Sequence, residues 1–170
     1  MSRQPKIYVS CLAAREDDWE HGEWIYANQD VETIKEEIED MLASSPIEGA
    51  KEYEISDYDD FAGLFIKKHQ PLSEVSAWAA FIVKHGTVGT AVIQYTDGDM
   101  DDSARLIKEC YFGAYKSKID FAKDHLQWAG GLIPEHLQSY VNYKTMTRNL
   151  FIYDFFSVKV GRAVHVFSYT

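Results

Sequence analysis

The 170-residue chain has only two cysteines, Cys11 and Cys110, 99 positions apart. That spacing matches no metal motif, and with no secretory segment it argues against a disulfide. Long hydrophobic runs are missing as well. The longest nearly apolar stretch, VSAWAAFIV (Val75 to Val83), falls far short of the ~20 residues that a membrane-spanning helix needs. The opening MSRQPKIYVSC lacks the apolar centre of a signal peptide. Basic charge is scarce: 17 Lys and Arg face 27 Asp and Glu, for a net charge of −10 and a pI near 5.0. Nucleic acid and anionic membranes are themselves negative, so neither is expected as a direct partner. The natural complement is a basic protein surface or a cation. These absences lead us to expect a soluble protein of a reducing, cytoplasmic compartment.

Catalytic motifs are also missing. No GxSxG, Walker A or GxGxxG occurs, and GTVG at Gly86 to Gly89 lacks both the lysine and the preceding strand. The six histidines show no HxH or HExxH spacing. Carboxylates lie in solvated runs such as EDD and DYDD, not as an isolated pair with separated pKa values. DGDMDDSARLIKE (Asp97 to Glu109) comes nearest to a metal loop, with Asp97, Asp99 and Asp101 at calcium-loop positions 1, 3 and 5. Asp102 then stands where the turn needs Gly, and Lys108 where the bidentate Glu belongs. Helix capping and surface charge explain the run better. We therefore assign no catalytic residue, no metal site and no cofactor, and read the protein as non-enzymatic.

The chain is rich in core-forming residues and in acid. With 46% hydrophobic and 14% aromatic residues it is no disordered acidic tail. Residues 1–60 carry 17 acids and 5 bases, residues 61–100 three of each, and residues 101–170 seven acids and 9 bases. The acid is concentrated in the first third, as expected of a surface built to meet a charged partner. Within it, VETIKEEIEDML (Val31 to Leu42) predicts a helix with Val31, Ile34, Ile38, Met41 and Leu42 on an apolar stripe. Glu32, Glu36, Glu37, Glu39 and Asp40 fall opposite, and only Lys35 offsets their repulsion.

The rest reads as α+β. KIYVSCLA (Lys6 to Ala13) and GEWIYA (Gly22 to Ala27) are strands flanking an acidic loop, AREDDWEH. Asp30 is a candidate N-cap for the acidic helix. KEYEISDYDDF (Lys51 to Phe61) alternates as a strand, with Tyr53 and Ile55 on one side and Glu52, Glu54 and Ser56 on the other. A helix runs from Pro71 to Gly86. TVGTAVIQY is open between strand and helix. SARLIKECYFG is a helix capped by Asp101 or Asp102, and Tyr115 to Gly131 a helix with Ile119, Ala122, Leu126 and Ala129 on one face. A further helix opens at Pro134, and the end is a hairpin turning near Val160–Gly161–Arg162.

The carboxylates are the functional candidates: Glu16, Asp17, Asp18, Glu20 and Glu23, the five acids of the helix, then Glu52, Glu54, Asp57, Asp59 and Asp60. Asp97, Asp99, Asp101 and Asp102 form a second cluster. Five acids on a helix about 18 Å long give one per roughly 3.6 Å, close to the ~3.4 Å spacing of phosphates along one DNA strand. A rigid surface of this kind can occupy a site evolved for DNA. Trp19 and Trp24 flank acidic positions and are either partner-contacting anchors or ordinary core aromatics. The rival reading is an acidic adaptor for a basic protein unrelated to DNA.

IYVSCLA with GEWIYA, then IKEEIEDMLASSP, EYEISDYDDF, IPEHLQSYVNYKTMTRNL and the terminal VHVF together resemble the ArdA antirestriction proteins over essentially the whole chain. The resemblance implies an elongated α+β protein of three small subdomains (1–61, 62–101 and 102–170), a homodimer through the last of them. It implies surface carboxylates that imitate the phosphates of bent B-form DNA and block the DNA-binding groove of type I restriction–modification enzymes, on behalf of a mobile genetic element such as a conjugative transposon. It also favours a helix for TVGTAVIQY. Lys116, Lys118 and Lys123, and the RNL at Arg148 to Leu150, depart from the spread of acid that the resemblance implies for the C-terminal part.

Overall fold

Ile7, Val9 and Cys11 are fully buried and alternate with half-buried Lys6, Tyr8 and Ser10, the period-two pattern of a strand with one face on a core. In the computed structural model, which describes residues 1–170, this strand (β1, Lys6–Cys11) is the centre of an antiparallel sheet ordered β2-β1-β3. The flanking strands are β2 (Gly22–Tyr26) and β3 (Tyr53–Asp59). A short helix, α1 (Leu12–Glu16), follows β1 directly, so Arg15 and Glu16 of the expected acidic loop are helical.

The chain divides into two compact units, 1–100 and 101–170. The architecture is α+β, 47% helical, with two small three-stranded antiparallel sheets. In the first unit α2 (Val31–Ala43) packs across β1 and β2 and against α3 (Leu72–Tyr95). Buried Ile34, Ile38 and Met41 meet the inner sheet face there. α3 is two helices joined at Gly86, whose φ of 62° and ψ of −144° only glycine adopts readily. TVGTAVIQY is the second of them, with Val92 and Ile93 buried. Tertiary packing between helical neighbours overrides its β-branched composition.

The second unit begins within α4 (Met100–Arg105), which passes into a π-helical turn, Leu106–Cys110. Asp101 and Asp102 are therefore in the first turn and not at the cap. The helix expected over SARLIKECYFG stops at Cys110, because Tyr111–Tyr115 forms a strand, β4, paired with β6 (Ala163–Ser168). Cross-strand partners decide the matter: Tyr111 lies opposite Phe167, and burial between strands outweighs local helical spacing. α5 (Lys118–Ala129) starts three residues later than expected, where the Ser117 hydroxyl accepts the Asp120 amide at 3.2 Å. Its core residues are Phe121 and Ala122; Ile119 and Ala129, expected on that face, are exposed. The larger aromatic wins the core position. Phe121, Phe155 and Val166 form that core, with Phe121 and Phe155 rings 4.9 Å apart and tilted edge-on. α6 (Glu135–Gln138) and α7 (Tyr143–Tyr153) lead to β5 (Phe155–Val160), and β5 turns into β6 at Gly161–Arg162.

One glycine in the first sheet has no substitute. A Cβ on Gly22 would lie 2.5 Å from the Val9 carbonyl oxygen and 2.9 Å from the Tyr8 ring, which covers that position. The carbonyl is backbone and cannot step aside cheaply. Gly22→Ala is expected to lower stability by about 1–3 kcal/mol, the usual cost of overpacking, measured by equilibrium denaturation.

Candidate functional site

The acidic helix is seated as its periodicity requires. Ile34, Ile38 and Met41 are buried while Glu32, Glu36, Glu39 and Asp40 are exposed on the far side. Glu37 is half-buried and accepts a hydrogen bond from the Gln29 amide at 3.0 Å. Lys35 reaches Glu32 at 2.9 Å, an exposed pair of little energetic weight. Glu36, Glu39 and Asp40 take part in none of the chain's ion pairs. Asp30 has the extended backbone of an N-cap but makes no side-chain bond to the helix.

The two faces of the sheet divide the remaining acids of the first unit. Glu23 lies opposite Val9 in the β1–β2 register, so it shares the α2 side. Asp57 lies opposite Tyr8 and Asp59 opposite Lys6, on the outer side with Tyr8 and Trp24. A register shift between Tyr8 and Val9 leaves Ser56 as an extra residue on β3 and sets up this alignment. Glu16 is exposed at the end of α1, and Asp17, Asp18 and Glu20 are exposed in the turn after it. There Asp18 adopts a left-handed φ of 61° and the Trp19 amide donates to the Ala14 carbonyl at 2.9 Å. Trp19 is 61% exposed and Trp24 42%, so neither is a core residue.

The helix side and the outer sheet side adjoin at His21. Its Nε2–H donates to the Met41 carbonyl at 2.7 Å, near the end of α2, while its neighbour Glu20 and Asp18 face the outer side. Between the α1–β2 turn and the outer sheet face lies an open cavity of about 500 Å³, walled by Tyr8, Asp18, Trp19, Glu20, Ser56 and Asp57.

Not every candidate carboxylate is available to a partner. Glu54 is 6% exposed, and its oxygens are taken by Arg15 and by Lys68 at 3.7 Å. This corrects its expected surface role: the strand alternation is right, but two basic side chains from elsewhere cover that position. Burying the carboxylate is tolerable only because it is paired. Asp59 stands 3.6 Å from Lys6. Asp60, at a left-handed φ of 59°, accepts the Gln4 amide at 2.6 Å and Arg3 at 2.8 Å. Those contacts hold its carboxyl below the usual range, the Gln4 amide first and the Arg3 guanidinium after it. Glu52 is exposed ahead of β3. Asp97 and Asp99 are exposed after α3, whereas Asp101 and Asp102 belong to the second unit, where Asp102 pairs with Arg105 at 2.7 Å. No three His, Cys, Asp or Glu side chains converge as a metal site. No helix is long and apolar enough to cross a membrane.

A family model described as antirestriction protein (ArdA) matches residues 7–163. The chain belongs to the ArdA antirestriction family. A search of curated proteins returns no match. ArdA proteins are inhibitors rather than enzymes, and membership implies a restriction enzyme as the partner in general terms. Every candidate carboxylate of this ArdA chain falls inside the matched span. The sequence pattern found the exposed acids but missed the Arg15–Glu54–Lys68 cluster, the Asp60 clamp and the cavity beside Trp19. Their partners are distant along the chain, and no local motif marks them.

The Asp60 clamp has a pH signature. A carboxyl whose folded pKa is depressed contributes stability above its unfolded value, and that contribution is lost as pH falls through the lower folded value. Asp60→Asn keeps the left-handed backbone but not the charge. Wild type is expected to be more stable than Asp60→Asn at pH 7. The gap should close below about pH 4, the ordinary carboxyl range, in melting temperatures taken across pH.

Proposed function

We propose that this antirestriction protein is a DNA mimic that occupies the DNA-binding groove of a type I restriction–modification enzyme and competes with its substrate. The observation that carries the reading is the set of exposed, unpaired carboxylates on α2, Glu36, Glu39 and Asp40, held on a buried apolar stripe. Glu16, Asp17, Asp18, Glu20, Glu23, Glu37, Glu52 and Asp57 extend this surface within the first unit, each standing in for a phosphate. Glu54 is omitted because its charge is consumed inside the unit. Asp97 and Asp99 add to this surface in the first unit, and Asp101 and Asp102 are acids of the second.

A groove built for DNA is lined by Lys and Arg that neutralise phosphates and release counterions. Carboxylates at phosphate-like spacing meet the same side chains and are drawn by the same long-range attraction. The inhibitor acts by binding alone, in the cytoplasm of a cell entered by a mobile element. The second unit supplies the contact of a homodimer. Leu132, Tyr140 and Tyr153, all exposed in that unit, are apolar area that such a contact would bury. Its near-neutral balance limits the mimic surface there.

Exposed ion pairs are worth about 0.2–1 kcal/mol each, so one acid carries little and a set carries much. Neutralising Glu32, Glu36, Glu37, Glu39 and Asp40 together is expected to weaken inhibition roughly 10- to 1000-fold, and any one of them less than about fivefold. The assay is inhibition of a purified type I complex across a salt series, with duplex DNA as competitor. Full inhibition by the neutralised variant, or binding that duplex DNA does not displace, ends the mimicry reading and leaves an acidic adaptor.

A further inference from the structure

The outer face of the first sheet repeats one arrangement twice, and only one copy has its cation. At the first position Lys6 lies 4.8 Å over the Trp24 ring and 3.6 Å from Asp59, its cross-strand neighbour. Two residues along, Tyr8 stands opposite Asp57 in the same register, with its ring 5.3 Å from Trp24. This second position opens into the cavity of about 500 Å³, where Trp19 adds a further aromatic wall and Asp18 and Glu20 two more carboxylates. Asp18, Glu20 and Asp57 take part in none of the chain's ion pairs. Two basic side chains line the cavity: Arg15 is committed to Glu54, and His21 donates to the Met41 carbonyl.

We propose that this cavity is an anchor slot for a single arginine side chain of the bound partner, its guanidinium against Trp19 and Tyr8 and its N–H groups on Asp18, Glu20 and Asp57. The inference rests on the mimicry reading for the source of the arginine and deepens it. The chemistry selects a cation. Three carboxylates outside any ion pair, of which only Asp57 accepts a backbone amide, from Tyr58 at 2.8 Å, repel an anion, and an apolar group would strip water from them without return. Among cations a guanidinium fits best, since it is planar, stacks on aromatic faces and bonds carboxylates through a rigid fork. The volume lies within the range of clefts that take small groups. An indole 61% exposed at the rim is costly in the free protein, and burying such a side chain around an arginine is the usual composition of a binding hot spot. Unlike the distributed acids of α2, this position therefore concentrates affinity.

Two measurements test the slot. In the first, the full ¹⁵N-labelled chain is titrated with Nα-acetyl-arginine amide. The Trp19 indole N–H resonance, assigned by its loss in Trp19→Phe, should shift saturably in the wild type and not in the folded Asp18→Asn/Asp57→Asn variant. A resonance that stays still, or that shifts equally with Nα-acetyl-norleucine amide, overturns the slot. In the second, Trp19→Ala, which removes an exposed side chain, should inhibit a type I complex about 10- to 100-fold less well than wild type, with its melting temperature kept. Wild-type inhibition by Trp19→Ala alongside loss in the α2-neutralised variant overturns the slot and leaves mimicry standing. Undiminished inhibition by the α2-neutralised variant with loss in Trp19→Ala supports the slot and removes mimicry.

Discussion

The burial of Ile34, Ile38 and Met41 against the first sheet is the contact on which the acidic surface depends. Glu32, Glu36 and Asp40 are spaced four apart on α2 and repel one another, each pair costing roughly 0.2–0.5 kcal/mol. A helix of 13 residues is marginal in isolation even without that repulsion. Three buried apolar side chains offset it several times over, at about 1.5–3 kcal/mol for each large apolar side chain removed from water. The helix is therefore held by its inner stripe, and its outer face is free to carry charge that works against it. The sheet underneath has the same logic: Ile7, Val9 and Ile25 close the inner face, leaving the outer one for polar and aromatic groups.

Charge that would harm the fold is handled locally. Glu54, the one buried candidate carboxylate, is covered by Arg15 and Lys68, and Asp60 is clamped by a backbone amide and Arg3. These contacts spend four of the scarce basic side chains near the sheet when Lys6 at Asp59 is included. The acids left without such partners include those of the α1–β2 turn, Glu36, Glu39 and Asp40 of α2, and Asp57. Burial makes the difference for Glu54, whose carboxylate is tolerable only when paired, whereas those projecting into water need no partner.

Much of the fold is legible in the sequence because it follows from short-range periodicity. The stripe of α2, the alternation of β1 and the Gly161–Arg162 hairpin are all local patterns. The misreadings come where a distant partner decides. YFGAY continues a helical run until β6 supplies a pairing edge, and Phe121 takes the α5 core position that spacing alone gives to Ile119. For the candidate surface the same rule holds. Exposure of Glu36, Glu39 and Asp40 is written into the helix, whereas Glu54 is lost to it through Lys68, fourteen residues away, and Arg15, thirty-nine residues away. TVGTAVIQY shows a third case, in which residue propensity points one way and family resemblance the other, and packing of Val92 and Ile93 follows the resemblance.

On the proposed reading, stability and inhibition make opposite demands on the same residues. Lys35 is the only base within α2, and it sits at the first-turn end, beside Glu32. A lysine in place of Asp40, i+4 from Glu36, would relieve repulsion and stabilise the helix, yet it would remove a charge that the proposed surface uses. The absence of acid stabilisation at the other end follows the same trade: Glu39 and Asp40 lie in the last turns, where the helix dipole disfavours carboxylates. A sequence shaped only for folding would place lysine there. Carboxylates kept at unfavourable positions on an otherwise well-seated helix are most simply understood as selected for what they meet outside the chain, and that is the physical argument for reading this surface as a binding face.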